Sequence, residues 1–366
     1  MKKILCLMLV LFLMISVVGC DDNKTTTKDV VSNIPNDENI NSEQNNEDEQ
    51  QNTDSQNNEE PDELVVEGIM SPLSGNYAPE EKVNRRPVAV MLDNHRAARW
   101  QAGVSEAEII YEILAEGRIT RYLAIFLVND PKMIGPVRSA RPYFINAALE
   151  YDPLYVRCGG SEQAKKDVKN LNMADIDGLY SGSFWRYYDT GKKAEHTLYT
   201  SMEKIRKEQQ RKGYRMTGKY IPFKFNEEDT DIIRDDVFNA NEVFIDYKMK
   251  NTTKYVYDEV SKTYKRYKDG KLHVDENDNK TIIAKNIFVQ LANTKIIDSY
   301  GRRSIDTIGK GTGYYITNGK GIKITWSKKD RSSKTKYYDA DNNEIQLNPG
   351  VTWIQVVEAK PIVKFK

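Results

Sequence analysis

The chain has 366 residues with 54 Lys or Arg against 54 Asp or Glu, so its formal charge at pH 7 is zero. Nothing in that balance calls for a nucleic-acid partner. Three cysteines, scattered along the chain, exclude a disulfide framework.

Residues 1–19 read as a lipoprotein signal peptide. Lys2 and Lys3 supply the charged start, and Ile4 to Val18 is an almost unbroken apolar run, too short for a comfortable membrane span. The run closes on Val17-Val18-Gly19-Cys20, which has the form of a lipobox. Processing would leave Cys20 as the mature N-terminus, carrying a thioether-linked diacylglycerol with palmitate-type chains. Two acyl chains anchor stably where one is marginal. The expected location is the extracytoplasmic face of the cell membrane, held by that lipid.

Residues 20–62 read as a disordered acidic tether. Between Asp21 and Glu60 twelve acidic residues face two lysines, and Val30, Val31, Ile34 and Ile40 are the apolar content. So little apolar surface cannot offset chain entropy. A flexible coil of this length reaches about 35 Å. With the chain neutral overall, the tether's −10 and the +2 of Lys2 and Lys3 leave about +8 on residues 61–366. A mildly basic body outside the membrane favours anionic envelope partners: teichoic acids, lipid phosphates or peptidoglycan carboxylates. Cys6 leaves with the signal, so Cys158 stands alone in the body and reads as a buried, inert thiol beside Leu154-Tyr155-Val156.

Residues 75–225 read as an α/β domain, a mixed sheet covered by helices. Val88 to Leu92 is apolar at every position and predicts a central strand ending in Asp93-Asn94-His95. Ser105 and Glu108 have capping-box spacing, and Ile109, Ile110, Ile113 and Leu114 follow at helical intervals up to Gly117. Arg118-Ile119-Thr120-Arg121 then opens a second strand, Tyr122 to Val128, whose exit carries IGPVRSARPYF, Ile134 to Phe144. A third strand, Leu154 to Val156, runs through Gly159-Gly160-Ser161 into a helix, Glu162 to Leu171. A last helix is expected over about Ser201 to Lys212, boxed by Thr200 and Glu203. Residues 240–366 form a smaller β-rich domain of short strands separated by turn pairs such as Asp269-Gly270 and Asn318-Gly319. A small barrel or sandwich is the expected form.

RPVAVMLDNH (86–95), EAEIIYEILAEGRITRYLAIF (106–126), IGPVRSARPYF and CGGSEQA (158–164) occur in fixed order, followed by GTGYYITNGKGIKITWSK (311–328) and LNPGVTWIQVV (347–357). Together they resemble the YerB-type family of bacterial lipoproteins over nearly all of residues 75–360. The resemblance implies an envelope location and an N-terminal domain of unknown function ahead of a β-rich C-terminal one. It implies no reaction.

The candidate site gathers arginines at strand ends. Arg118 and Arg121 precede one strand, and Arg138, Ser139 and Arg141 follow its exit, stiffened by Pro136 and Pro142. A guanidinium fork binds phosphate or carboxylate through two parallel hydrogen bonds, so such a loop can form an oxyanion cradle. Gly159, Gly160 and Ser161 ahead of a helix add backbone N–H groups. The alternative is that the arginines pair with Glu106, Glu108, Glu112, Glu116 or Asp93 at element ends. Asp93, His95 and His196 are secondary candidates, for acid–base work or for half a metal site, with strand capping as the alternative for the histidines. His273 lies in a polar turn and is expected to be solvated. Trp185, Tyr187 and Tyr188 read as a sugar or peptide platform or as an edge-packing cluster. No cofactor fingerprint and no metal-ligand spacing is present. Two functions follow from this reading. One is a lipoprotein binding an anionic envelope polymer or an envelope protein. The other is an envelope enzyme on a phosphorylated lipid or glycopolymer, similar in layout to the LytR–CpsA–Psr phosphotransferases.

Overall fold

All six residues of strand β1, Val88–Asp93, are buried, as a strand covered on both faces requires. In the computed structural model, which describes residues 68–359 and 362–366, β1 is an interior strand of a mixed α/β fold, paired on both sides. The expected signal peptide, Cys20 and tether lie outside the described residues.

Two further strands, β2 (Ile109–Leu114) and β3 (Thr120–Phe126), form an antiparallel pair, and β3 also runs antiparallel to β1 with Asp93 opposite Arg121. The helix expected over 109–114 is therefore a strand. Tyr111 points to one face, where its hydroxyl lies 2.8 Å from that of Tyr151. Glu112 points to the other, toward Arg266 and Lys268. With both faces buried, the apolar residues lose the period-two alternation of a half-exposed strand and mimic a helical stripe. Glu108 caps no helix. Its buried carboxylate accepts from the Ser71 hydroxyl at 2.9 Å and from the N–H groups of Leu127 and Val128 at 2.6 and 3.2 Å.

Helix α1 (Pro142–Ala148) begins at the second proline of the arginine loop, a residue suited to a first helical position because it has no N–H to leave unpaired. Strand β4 (Leu154–Arg157) runs parallel to β1. Helix α2 (Glu162–Asn170) is capped by Ser161, and β5 (Asp175–Asp177) runs parallel to β4. The cap of α3 (Met202–Arg211) is Ser201, whose oxygen accepts from the Lys204 N–H. Thr200, the expected cap, instead donates to the Ser183 carbonyl.

The later strands are β6 (Glu242–Asp246), β7 (Thr252–Asp258), β8 (Thr263–Lys268), β9 (Asn286–Ala292), β10 (Gly309–Thr317), β11 (Lys320–Lys328), β12 (Thr352–Glu358) and β13 (Ile362–Phe365). They divide between two sheets rather than closing a barrel. β11, β10, β9 and β12 continue, in that order, into β2, β3, β1, β4 and β5 of an eleven-stranded sheet. The junction is parallel, with Thr352 opposite Ile109 and Val356 opposite Ile113. β8, β7, β6 and β13 belong to a six-stranded sheet that covers the Glu112 face. Tyr255 of β7 and Tyr247, just past the end of β6, hydrogen-bond Gln355 of β12. The described residues belong to one compact unit.

Between the sheets, Glu112 meets both Arg266 and Lys268, all three side chains fully buried, and Arg266 lies 4.3 Å from the centre of the Trp353 ring. His273, expected in solvent, is buried beside them. Its Nδ1 accepts from Arg266, which has no acceptor to offer, so its Nε2–H donates to Gln101 at 3.0 Å. Burial and the Arg266 charge hold this ring well below the usual histidine range.

Candidate functional site

The end of β1 carries Asp93-Asn94-His95, and the start of β3 brings Arg121 alongside. One Asp93 oxygen accepts from the His95 N–H at 2.9 Å; the other lies 2.8 Å from His196 Nδ1 and 3.2 Å from Arg138 Nε. Burial opposes ionisation of Asp93, but the His196 hydrogen bond and the Arg138 charge outweigh it and hold the carboxyl below its ordinary range. His95 stacks on His196 with ring centres 5.1 Å apart and 7° between planes, and its Nδ1 accepts from the Ala97 N–H. Burial lowers the His95 pKa, helped by His196, Arg99 and Arg138.

The arginines share carboxylates. Arg121 and Arg141 both contact Glu116, and Arg121 also donates to the Ser139 carbonyl at 2.6 Å. Arg118 lies 2.8 Å from Glu358, which also meets Arg303 at 3.2 Å. Arg96 and Arg99 meet Asp269 at 3.0 and 2.7 Å. Arg138 meets Asp93 and donates to the Glu195 carbonyl at 2.9 Å. In these pairs seven guanidinium charges meet four carboxylates. Burial and the neighbouring Arg141 charge lower the Arg121 pKa to about 10.

The arginine loop and the glycine turn do lie side by side, with Ala140 bridged to Gly160. The backbone donors of Cys158, Gly159 and Ser161 serve the fold. Cys158 N–H donates to the Arg138 carbonyl, Ser161 N–H to that of Ala140, and Gly159 N–H to Asp177. The Ser161 oxygen is occupied by the Ala164 N–H. Arg138 and Arg141 turn to Asp93 and Glu116 instead of toward the turn. Cys158 is half-buried, and burial raises its thiol pKa. Tyr187 packs edge-on against Tyr199, with ring centres 5.6 Å apart.

A cleft of about 490 Å³ opens beside this cluster. Asn94, His95, Arg96, Arg99, Glu116 and Arg118 form its polar wall; Ile119, Met249 and Tyr300 form an apolar lip. Met249 and Tyr300 are 82% and 80% exposed. Of the sequence candidates, Arg118 and His95 line the cleft. Arg121 and Arg141 act on its wall through Glu116, and Asp93, His196 and Arg138 stand behind His95. Ser139, Gly159, Gly160 and Ser161 do not line it. Arg96 and Arg99 were not among the candidates, although DNHRAAR repeats the three-residue arginine spacing of the other two pairs.

The chain matches both parts of a known two-domain family. Residues 73–215 match the N-terminal domain of the protein family of unknown function DUF3048, and residues 243–354 match its C-terminal domain. The chain belongs to that family. It is 36% identical over 301 residues to a Bacillus subtilis (strain 168) protein named "Putative lipoprotein YerB", spanning 79% of this chain and 86% of the relative. A crystal structure of the YerB protein from Bacillus subtilis superposes with a TM-score of 0.73 at 34% identity, covering 81% of this chain and 99% of the other. Among the described residues no helix is long and apolar enough to cross a membrane.

Proposed function

We propose that this chain is a lipoprotein anchored through Cys20 to the extracytoplasmic face of the cell membrane, and that its cleft binds an anionic group of an envelope polymer. The lipobox and the lipoprotein name of the relative support the anchor. The shared carboxylates carry the binding reading. Glu116, Glu358 and Asp269 are each divided between two arginines, so the wall keeps uncompensated positive charge beside an open space. A phosphate or carboxylate entering there gains charge-assisted hydrogen bonds without first breaking a one-to-one ion pair. Arg96, with 59% of its side chain exposed, and Arg118 are the groups best placed to meet it.

The test is equilibrium binding of a fluorescent poly(glycerol phosphate) to the wild type and to Arg96→Ala and Arg118→Ala. Each substitution leaves Asp269 or Glu358 with its other arginine, so melting temperature should hardly move. Affinity should fall by about tenfold for each change. Unchanged affinity with a large loss of stability would assign the arginines to structure alone. Transfer of a labelled polyprenyl-linked glycan, or release of phosphate, would favour the enzyme reading, in which the Asp93–His196 pair handles protons. The binding reading stands ahead because both members of that pair are buried behind His95.

A further inference from the structure

At the opposite end of β1 and β3 from the arginine cleft, Arg206 of α3 sits beneath Arg85 and the segment that leaves β3. Its Nη1 donates to the Arg86 carbonyl at 2.8 Å and to Gln209 at 2.9 Å. Its Nε and Nη2 are buried and have no hydrogen-bond partner, and among the described residues no carboxylate lies within ion-pair distance of this guanidinium. Asp130 is the nearby acid, but it is committed to Lys82 and Arg85. A buried cation without a counter-ion is costly, and Nε with Nη2 is the edge that grips two oxygens of one oxyanion.

Arg206 lines a cleft of about 630 Å³ together with Arg85, Asp130, Lys132, Ser201 and Glu203. Glu203 points its charge to Lys207. The Ser201 oxygen accepts from Lys204 N–H, which leaves its own proton free to donate. Burial, reinforced by Arg85, lowers the Arg206 pKa to about 10, consistent with a cation lacking compensation.

We propose that this cleft is a second anion site, independent of the first, in which the Arg206 side chain shifts to bring its buried, unpartnered edge onto a phosphate group, with Arg85, Lys132 and the Ser201 hydroxyl closing around it. Three cations against Asp130, which Lys82 also holds, and Glu203, which turns to Lys207, favour a doubly charged phosphate monoester over a carboxylate. The phosphate can belong to a soluble ester or to a lipid headgroup, and the two sources separate experimentally.

Calorimetric titration of the full chain in detergent with glycerol phosphate is one arm; co-sedimentation with vesicles containing phosphatidate, read as the excess over phosphatidylcholine vesicles that the lipid anchor alone would enter, is the other. Saturable binding in either arm is expected, weakened about tenfold or more by Arg206→Met. Lys132 is exposed, so Lys132→Ala tests the site without disturbing the fold and should weaken binding about threefold. Arg118→Ala should leave this binding intact, which separates it from the first cleft. Binding in the vesicle arm alone assigns the phosphate to a lipid. No saturable binding in either arm, or binding indifferent to both Arg206→Met and Lys132→Ala, overturns the site.

Discussion

Glu112 holds two buried cations on one carboxylate, and its removal leaves both without a counter-ion. Glu112→Gln should therefore cost about 3–5 kcal/mol, measured by denaturant unfolding. The pH dependence has a definite sign. Burial opposes ionisation of this group, but Lys268 and Arg266 prevail and lower its pKa from 4.5 to about 2. A depressed carboxyl contributes stability that is present above the unfolded value and is lost as pH falls from about 4.5 to about 2. The wild type should show that acid limb, and Glu112→Gln should lack its share. Residues of this kind were poorly legible in the sequence because their partners are remote. Glu112 meets Lys268 across 156 positions, Asp93 meets His196 across 103, and Arg99 meets Asp269 across 170. The arginines could be singled out by type and spacing; which carboxylates would hold them could not.

Strand β2 shows how an element can be misread while its neighbours are not. β1 and β4 were legible from their unbroken apolar runs, α2 from the Gly159-Gly160-Ser161 turn ahead of it, and α3 from a capping-box spacing that set the cap one residue early, at Thr200 instead of Ser201. The run Ile109–Leu114 followed a serine–glutamate pair with capping-box spacing, and burial of both faces erased its strand period. Glu108→Ala separates the two readings. As a helix-capping partner, Glu108 would be worth well under 1 kcal/mol at an exposed end. As the acceptor for Ser71 and two backbone N–H groups at the end of β3, its loss should cost about 2 kcal/mol or more, read as a shift in the unfolding midpoint. Helix α1 was passed over for a different reason: Pro142 served equally well as a loop stiffener and as a first helical residue.

Across the whole molecule, strands from either side of residue 240 share one sheet. β12 lies between β9 and β2, and the Glu112 cluster fastens the six-stranded sheet to the same strand. Heating the protein should accordingly give one calorimetric transition with equal calorimetric and van't Hoff enthalpies; two resolved transitions would show independently folding halves. That parallel joint joins segments about 240 residues apart, so no local pattern announces it. The same arrangement builds the anion cleft, since Arg96, Arg99 and Arg118 come from the first half and Asp269, Met249 and Tyr300 from the second. The most direct measurement is a crystal structure grown with a short glycerol phosphate oligomer. Ligand phosphate within hydrogen-bond reach of Arg96, Arg99 or Arg118 is the predicted result. Guanidinium groups still held only by Asp269 and Glu358, in crystals where the oligomer is ordered elsewhere or absent at saturating concentration, would contradict it.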